Sequence, residues 1–113
     1  MPLALTLSAC TKNIVVEVAF DEGTTLTFFE AGFLSRSAIS PCIWSVEIFE
    51  TKTGRRVVNR QAAKGCFKSH VLRAPMWERM EGTGASRDLQ TGIGYRAEII
   101  AEEGMGTAKW IQP

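Results

Sequence analysis

Ile43-Trp44-Ser45-Val46-Glu47-Ile48-Phe49-Glu50, near the middle of the chain, is the clearest β-strand in the sequence. The apolar side chains of Trp44, Val46 and Ile48 fall on one face of an extended chain, because successive side chains of a strand point to opposite faces. The polar side chains between them fall on the other face. This alternation predicts a half-buried strand, and the rest of the fold is interpreted outward from it.

Similar short strands separated by turns are predicted on both sides of this stretch. The predicted strands are 14–20, 25–29, 43–50, 55–58, 67–73, 93–101 and 108–111. Turns are predicted at 21–23, 51–54, 81–84 and 102–104, residues 31–41 are interpreted as a connection, and 75–80 fit either one helical turn or a strand edge. About seven short strands at a spacing of about 8–12 residues predict an all-β domain, a β-sandwich of antiparallel strands.

Length and composition fit one globular domain. The chain has 113 residues, of which 45% are hydrophobic and 22% are charged. These are ordinary values for a folded domain of this size. A formal net charge of +1 selects no class of partner. No apolar run reaches the length of about 18–20 residues that a membrane-spanning helix requires.

A second stretch resembles a known structural feature: Leu89-Gln90-Thr91-Gly92-Ile93-Gly94-Tyr95-Arg96-Ala97 is similar to the E–F corner of immunoglobulin-like and fibronectin type III-like domains. The resemblance implies that Tyr95 is the corner tyrosine, with its hydroxyl bonded to a backbone group near Leu89 or Gln90. It also implies that Trp44 is the buried tryptophan of strand C. Residues 93–101 and 108–111 would then be strands F and G.

The resemblance extends loosely over residues 43–111 and implies an immunoglobulin-like β-sandwich. Antibody domains carry a cysteine two residues after the corner tyrosine, whereas this chain has Ala97 there. The antibody-type disulfide between strands B and F is therefore excluded. Because this fold hosts many unrelated functions, the resemblance implies an architecture and no chemistry.

The beginning of the chain resembles a bacterial lipoprotein signal. Leu7-Ser8-Ala9-Cys10 is similar to the lipobox, in which a leucine and two small residues precede the cysteine that becomes lipidated. The resemblance implies a signal segment at 1–9 and a mature domain at 10–113, attached to a membrane by lipid on Cys10. Thr11 stands where an inner-membrane retention signal has aspartate, which favours the periplasmic face of the outer membrane.

The signal departs from the usual pattern because no basic residue precedes Cys10. A true start further upstream is one explanation. The alternative is that these residues form an apolar first strand with Cys10 buried in it as a free thiol.

The three cysteines are Cys10, Cys42 and Cys66. If Cys10 is lipidated, the other two form an even pair, as expected of an exported protein. A bridge between Cys42 and Cys66 would close a loop of about 25 residues and stabilise the fold by roughly 3 kcal/mol. The alternative is two buried free thiols in a cytosolic protein.

Basic residues are concentrated in one part of the sequence, with no acidic residue among them. They are Lys52, Arg55, Arg56, Arg60, Lys64, Lys68 and Arg73. If the hairpin and the next strand are neighbours, these side chains form a positive patch that would attract an anionic polymer or an acidic protein. The alternative is an edge strand whose charges discourage pairing with other chains. Aromatic residues are scarce there, which argues against binding of single-stranded nucleic acid.

Catalytic chemistry has little support. His70 is the single histidine, and its strand pattern predicts a solvent-facing position. Glu102 and Glu103 are adjacent, so on a strand they would point to opposite faces and form no acid–base pair. No pair of cysteines has metal-ligand spacing, so no metal or other cofactor is expected.

The sequence therefore predicts a non-catalytic envelope lipoprotein that acts as a binding or structural module. Its expected partners are the membrane, through the lipid, and an envelope protein or an anionic polymer. The alternative is a soluble module that binds a polyanion or a protein through the basic region at 52–73.

Overall fold

The computed structural model describes residues 12–20, 23–31, 36–62, 65–73 and 89–113. Several predictions lie outside these residues: the segment 1–9, Cys10, Lys64, the first two residues of the turn at 21–23, the turn at 81–84 and the ambiguous stretch 75–80. The described residues form an all-β fold with nine strands. The strands are β1 (Lys12–Ala19), β2 (Thr25–Ala31), β3 (Arg36–Ala38), β4 (Cys42–Glu50), β5 (Arg56–Gln61), β6 (Phe67–Lys68), β7 (Val71–Arg73), β8 (Gly94–Ala101) and β9 (Gly104–Ile111).

The strands form one hydrogen-bonded sheet in the order β3-β2-β1-β9-β8-β4-β5, with β6 paired to β4 and β7 paired to β2. Most pairs are antiparallel, but β1 runs parallel to β9, with Lys12 opposite Gly104 and Val15 opposite Thr107. The expectation of antiparallel pairing throughout is therefore wrong at this junction. The pair is parallel because β1 and β9 both begin at the same end of the sheet, where Lys12 lies opposite Gly104.

Three of the nine strands lie in two segments that the sequence pattern did not predict in this form. β3 lies within 31–41, for which the sequence predicts a connection, and its three residues are all exposed. Its backbone pairs with β2, so it forms without any apolar alternation. The predicted strand 67–73 is divided into β6, which pairs with β4, and β7, which pairs with β2.

One hydrophobic core joins strands from both ends of the sheet order. It contains Leu26 and Phe28 of β2 together with Val46 and Ile48 of β4, all fully buried. The alternating residues of β8 also lie in it: Tyr95, Ala97, Ile99 and Ala101 are buried, as the pattern of 93–101 predicts. Burial of these apolar surfaces is the main stabilising term of the fold.

Candidate functional site

A disulfide lies at one end of the sheet. Cys42, the first residue of β4, is bonded to Cys66, with the two Cα atoms 5.1 Å apart and a sequence separation of 24. This is the pair that the cysteine count predicted for an exported chain. The bond ties β4 to the segment that leads into β6.

The hairpin between β8 and β9 closes over the same cysteine. The backbone N–H of Cys42 donates to Oε1 of Glu103 at 2.9 Å, and the N–H of Glu102 donates to the carbonyl oxygen of Cys42 at 2.9 Å. Gly104 follows and pairs with Lys12 at the beginning of β1. The disulfide, the hairpin tip and the first described residues of the chain therefore share one end of the molecule, which we call the hairpin end.

Tyr95 forms the corner contact that the immunoglobulin-like resemblance implied. The backbone N–H of Gln90 donates to the Tyr95 hydroxyl at 2.8 Å, and the ring is 2% exposed. The ring lies 6.0 Å from that of Trp110, measured between centroids. Leu89 packs partly buried against the core. The Tyr95 side chain thus connects the loop that precedes β8 to the hydrophobic core.

Trp44 is not the buried tryptophan that the resemblance implied, because it is 43% exposed. The pairing of β4 with β8 is shifted between Ile43, which lies opposite Ala101, and Ser45, which lies opposite Ile100. Trp44 is the extra residue of this β-bulge, and a bulge interrupts the alternation of side chains. Ile43 occupies the buried position instead.

Two further apolar side chains are exposed beside Trp44. Ile100 is 38% exposed and Met105 is 47% exposed, and the two lie opposite each other in the β8–β9 pair. Near these residues β4, β8 and β9 each have a neighbouring strand on both sides, so exposed side chains there lie on the outer face of the sheet. We call Trp44, Ile100 and Met105 the apolar end cluster, since each is within two residues of the β8–β9 turn or of Cys42.

Sequence reasoning did not single out Ile100 or Met105. The only signal was that both occupy the outward positions of strands whose inward positions are also apolar. An open groove of about 430 Å³ continues from Met105 to β1. Its lining residues are Ile14, Val15, Val16, Met105, Gly106 and Thr107.

Away from the hairpin end, several charged side chains of β4, β5 and β8 are paired with one another. Arg96 lies 3.1 Å from Glu98 and 4.9 Å from the centroid of the Phe49 ring. Arg56 lies 2.7 Å from Glu47. These charged pairs separate the apolar end cluster from Ile111, which is exposed on the same face at the other end of β9.

The basic residues between 52 and 73 that the structure describes do not form the single free patch that one interpretation of the sequence predicts. Arg55 bonds to Glu50 at 2.9 Å, and Arg56 pairs with Glu47, so β4 supplies the acids that are absent from the sequence around them. Opposite charges that meet across a hairpin neutralise each other's long-range field.

The other basic residues are distributed over different elements. Lys52, Lys68 and Arg73 are exposed in the β4–β5 turn, in β6 and in β7. Arg60 lies opposite the buried Val46 and two residues after the buried Val58, so it is on the inner side of β5. A second bulge leaves Val57 as the extra residue, and Val57 is buried as well. Since β5 ends the sheet order, this arrangement is closer to a charged edge strand than to a binding surface.

His70 is half-buried and contacts the main chain, whereas the sequence predicted a solvent-facing strand position. Its Nδ1 lies 2.8 Å from the carbonyl oxygen of Ile39. The nitrogen must be the donor, because a carbonyl oxygen only accepts. The ring also meets that of Phe29 edge-on at 5.7 Å. His70 stands between β6 and β7, so its contacts hold the point at which the chain crosses from β4 to β2.

Within the described ranges, no three side chains of the metal-ligating types come together. The same residues include no helix with the length and hydropathy needed to cross a membrane.

No protein-family model matches this chain, and a search of curated proteins finds no similar sequence.

Proposed function

We propose that this protein is a non-catalytic module of the bacterial cell envelope, held at the periplasmic face of the outer membrane by a lipid on Cys10. The observation that carries the proposal is the Cys42–Cys66 disulfide. Disulfides persist in oxidising compartments such as the periplasm and are rare in the cytosol. The bond also uses two of the three cysteines, so that Cys10 alone remains for modification.

The place of Cys10 in the chain supports the same proposal. Strand β1 begins at Lys12, two residues after Cys10. A lipid on Cys10 would therefore hold the domain directly at the end of its first strand. Acyl chains contribute about 0.8 kcal/mol per buried CH₂ group, so two or more chains anchor a domain without a spanning helix.

We propose an immunoglobulin-like sandwich as the finer description of the fold. In such domains one sheet contains strands A, B and E and the other contains C, F and G. The pairs β1–β2 and β2–β7 correspond to A–B and B–E, while β4–β8 and β8–β9 correspond to C–F and F–G. The bond between Gln90 and Tyr95 fits the corner that precedes strand F.

A role in binding or structural support, rather than in catalysis, is supported by the surroundings of His70. This histidine is the only one in the chain, and its Nδ1 is engaged with a main-chain carbonyl. An imidazole fixed in this way serves to hold the β6–β7 crossing. Polyanion binding, the alternative, is weakened by the ion pairs of Arg55 and Arg56.

The intact, unreduced mass of the protein produced from its native gene tests the proposal. We expect a chain that begins at Cys10, carries added acyl groups and lacks the two hydrogens lost in the disulfide. A Cys10→Ser variant is the matched control and should carry no acyl group while keeping the Cys42–Cys66 bond. An unmodified chain with three free thiols would contradict the envelope location, and polyanion binding would become the leading hypothesis.

A further inference from the structure

The hairpin end exposes apolar surface that the fold itself does not use. Of the large hydrophobic side chains exposed among the described residues, Trp44, Ile100 and Met105 lie together at this end. Phe20 and Ile111 are also exposed, but they lie at the other end of β1 and β9. Neighbouring strands are about 4.8 Å apart, so the cluster spans about 10 Å across β4, β8 and β9.

The start of the chain indicates what covers this surface. Lys12 pairs with Gly104, the residue before Met105. Two residues of extended chain reach at most about 7 Å, so any group attached to Cys10 is held close to the apolar end cluster. Under the function proposed above, that group is a lipid whose chains lie in a bilayer.

We propose that the apolar end cluster seats the domain on the lipid surface, with Trp44 inserted at the level of the headgroups. Tryptophan is enriched at this depth of a bilayer because its ring is amphipathic. The inference rests on the proposed anchor at Cys10. The anchor confines the domain to the membrane, and the cluster fixes which end faces it.

Charge at the hairpin end selects the kind of lipid. Glu102 and Glu103 form the tip of the β8–β9 hairpin and are exposed. Lys12 lies opposite Gly104 and Lys68 opposite Cys42, so two basic residues balance the two carboxylates at this end. An end with no net charge fits a zwitterionic lipid surface and needs no anionic lipid.

Tryptophan quenching by brominated lipid tests the proposal. The full chain is coupled through Cys10, the thiol outside the disulfide, to maleimide-bearing vesicles of phosphatidylcholine and phosphatidylethanolamine. Some vesicles carry bromine near the headgroups. Emission is compared between the unaltered chain and a Trp44→Phe variant, so that the contribution of Trp44 is obtained by difference. We expect bromine near the headgroups to remove most of the Trp44 emission.

Matched variants distinguish a contribution of the apolar end cluster from non-specific adsorption of the protein to the vesicles. Ile100→Thr and Met105→Gln should each reduce the quenching of Trp44. Ile111→Thr removes a side chain that is more exposed, at 71%, but lies at the far end of β9, and it should leave the quenching unchanged.

The outcomes distinguish this inference from the proposed function. Absence of acyl groups on the native protein contradicts the anchor but not the seating, which the coupled chain still reports. Absence of Trp44-dependent quenching in the coupled chain overturns the seating whatever the native modification. A Trp44 emission that is already blue-shifted in lipid-free dimers would show that a second copy covers the cluster, and would also overturn it.

Discussion

The Tyr95 hydroxyl connects the loop before β8 to the core. The ring is buried beside Trp110, and its oxygen accepts the N–H of Gln90. A tyrosine here supplies both apolar surface and a polar tip, a combination that suits the boundary between a core and a loop. The position therefore requires a hydroxyl as well as an aromatic ring.

Tyr95→Phe keeps the ring and removes the acceptor, so we expect the free energy of unfolding to fall by about 1 kcal/mol. Urea titration followed by near-ultraviolet circular dichroism measures the change. Thr107→Val is the control, since it removes a hydroxyl from an exposed strand position and should change stability by no more than about 0.5 kcal/mol. Equal stability of Tyr95→Phe and the unaltered chain would show that the bond contributes nothing.

Among the elements, the parallel pair of β1 and β9 depends on the absence of a side chain at Gly106. A Cβ atom at Gly106 would lie 2.7 Å from Cγ2 of Val16 and 2.8 Å from the carbonyl oxygen of Ile14. One of these neighbours is backbone that is itself part of the sheet. The two strands could not keep their present separation around a larger residue.

Gly106→Ala should therefore lower the free energy of unfolding by about 1–3 kcal/mol, because the strands must shift to accept the methyl group. Gly94→Ala is the control: its Cβ would lie 2.7 Å from Oγ1 of Thr51, an exposed side chain that can rotate away. The two urea midpoints are compared. A Gly94→Ala loss as large as that of Gly106→Ala would contradict the argument from backbone crowding.

The alternation of side chains predicted most of the longer strands, and its failures have local causes. Strands β4 and β8 appear close to their predicted bounds because each buries one face, whereas β5 ends three residues beyond the predicted 58 and β9 begins four residues before the predicted 108. β3 was missed because it buries none of its three side chains. The division at His70 was missed because the turn between β6 and β7 contains neither glycine nor proline.

The candidate site was predictable where it depends on the number of cysteines or on a local motif. The Cys42–Cys66 pair is the one that remains when Cys10 is set aside for a lipid, and the contact of Tyr95 is the one that the immunoglobulin-like resemblance implies. Trp44 could not be placed, because a bulge is decided by how β4 meets β8, which lies about fifty residues further along the chain. The neutralisation of Arg56 by Glu47 likewise depends on the register of the hairpin.

At the scale of the whole molecule, the disulfide restricts the chain where regular pairing is sparse. It joins two residues at a sequence separation of 24 and so closes a loop that contains the β4–β5 hairpin and two residues outside the described ranges. Cross-linking a loop of this length removes freedom mainly from the unfolded chain. The stability of the domain should therefore depend on its redox state.

Reduction should lower the free energy of unfolding by about 3 kcal/mol, as the chain-entropy model gives for a loop of this size. Urea unfolding with and without a thiol reductant measures the difference. A Cys42→Ser/Cys66→Ser double variant should resemble the reduced chain and respond to no reductant. Superimposable curves for the oxidised and reduced chain would contradict the prediction.

The pairing of the first strand with the last also determines the order in which the strands can pair as the chain is synthesised and folds. Lys12–Val15 find their parallel partners at Gly104–Thr107, more than ninety residues later. Contacts between such distant parts of a chain form slowly, and domains rich in them fold in milliseconds to seconds. While the chain is being synthesised, β1 and β2 can pair early, but one edge of β1 stays open until β9 has been made. The domain therefore closes only after synthesis of its last strand, and until then the exposed edge of β1 is available to other chains.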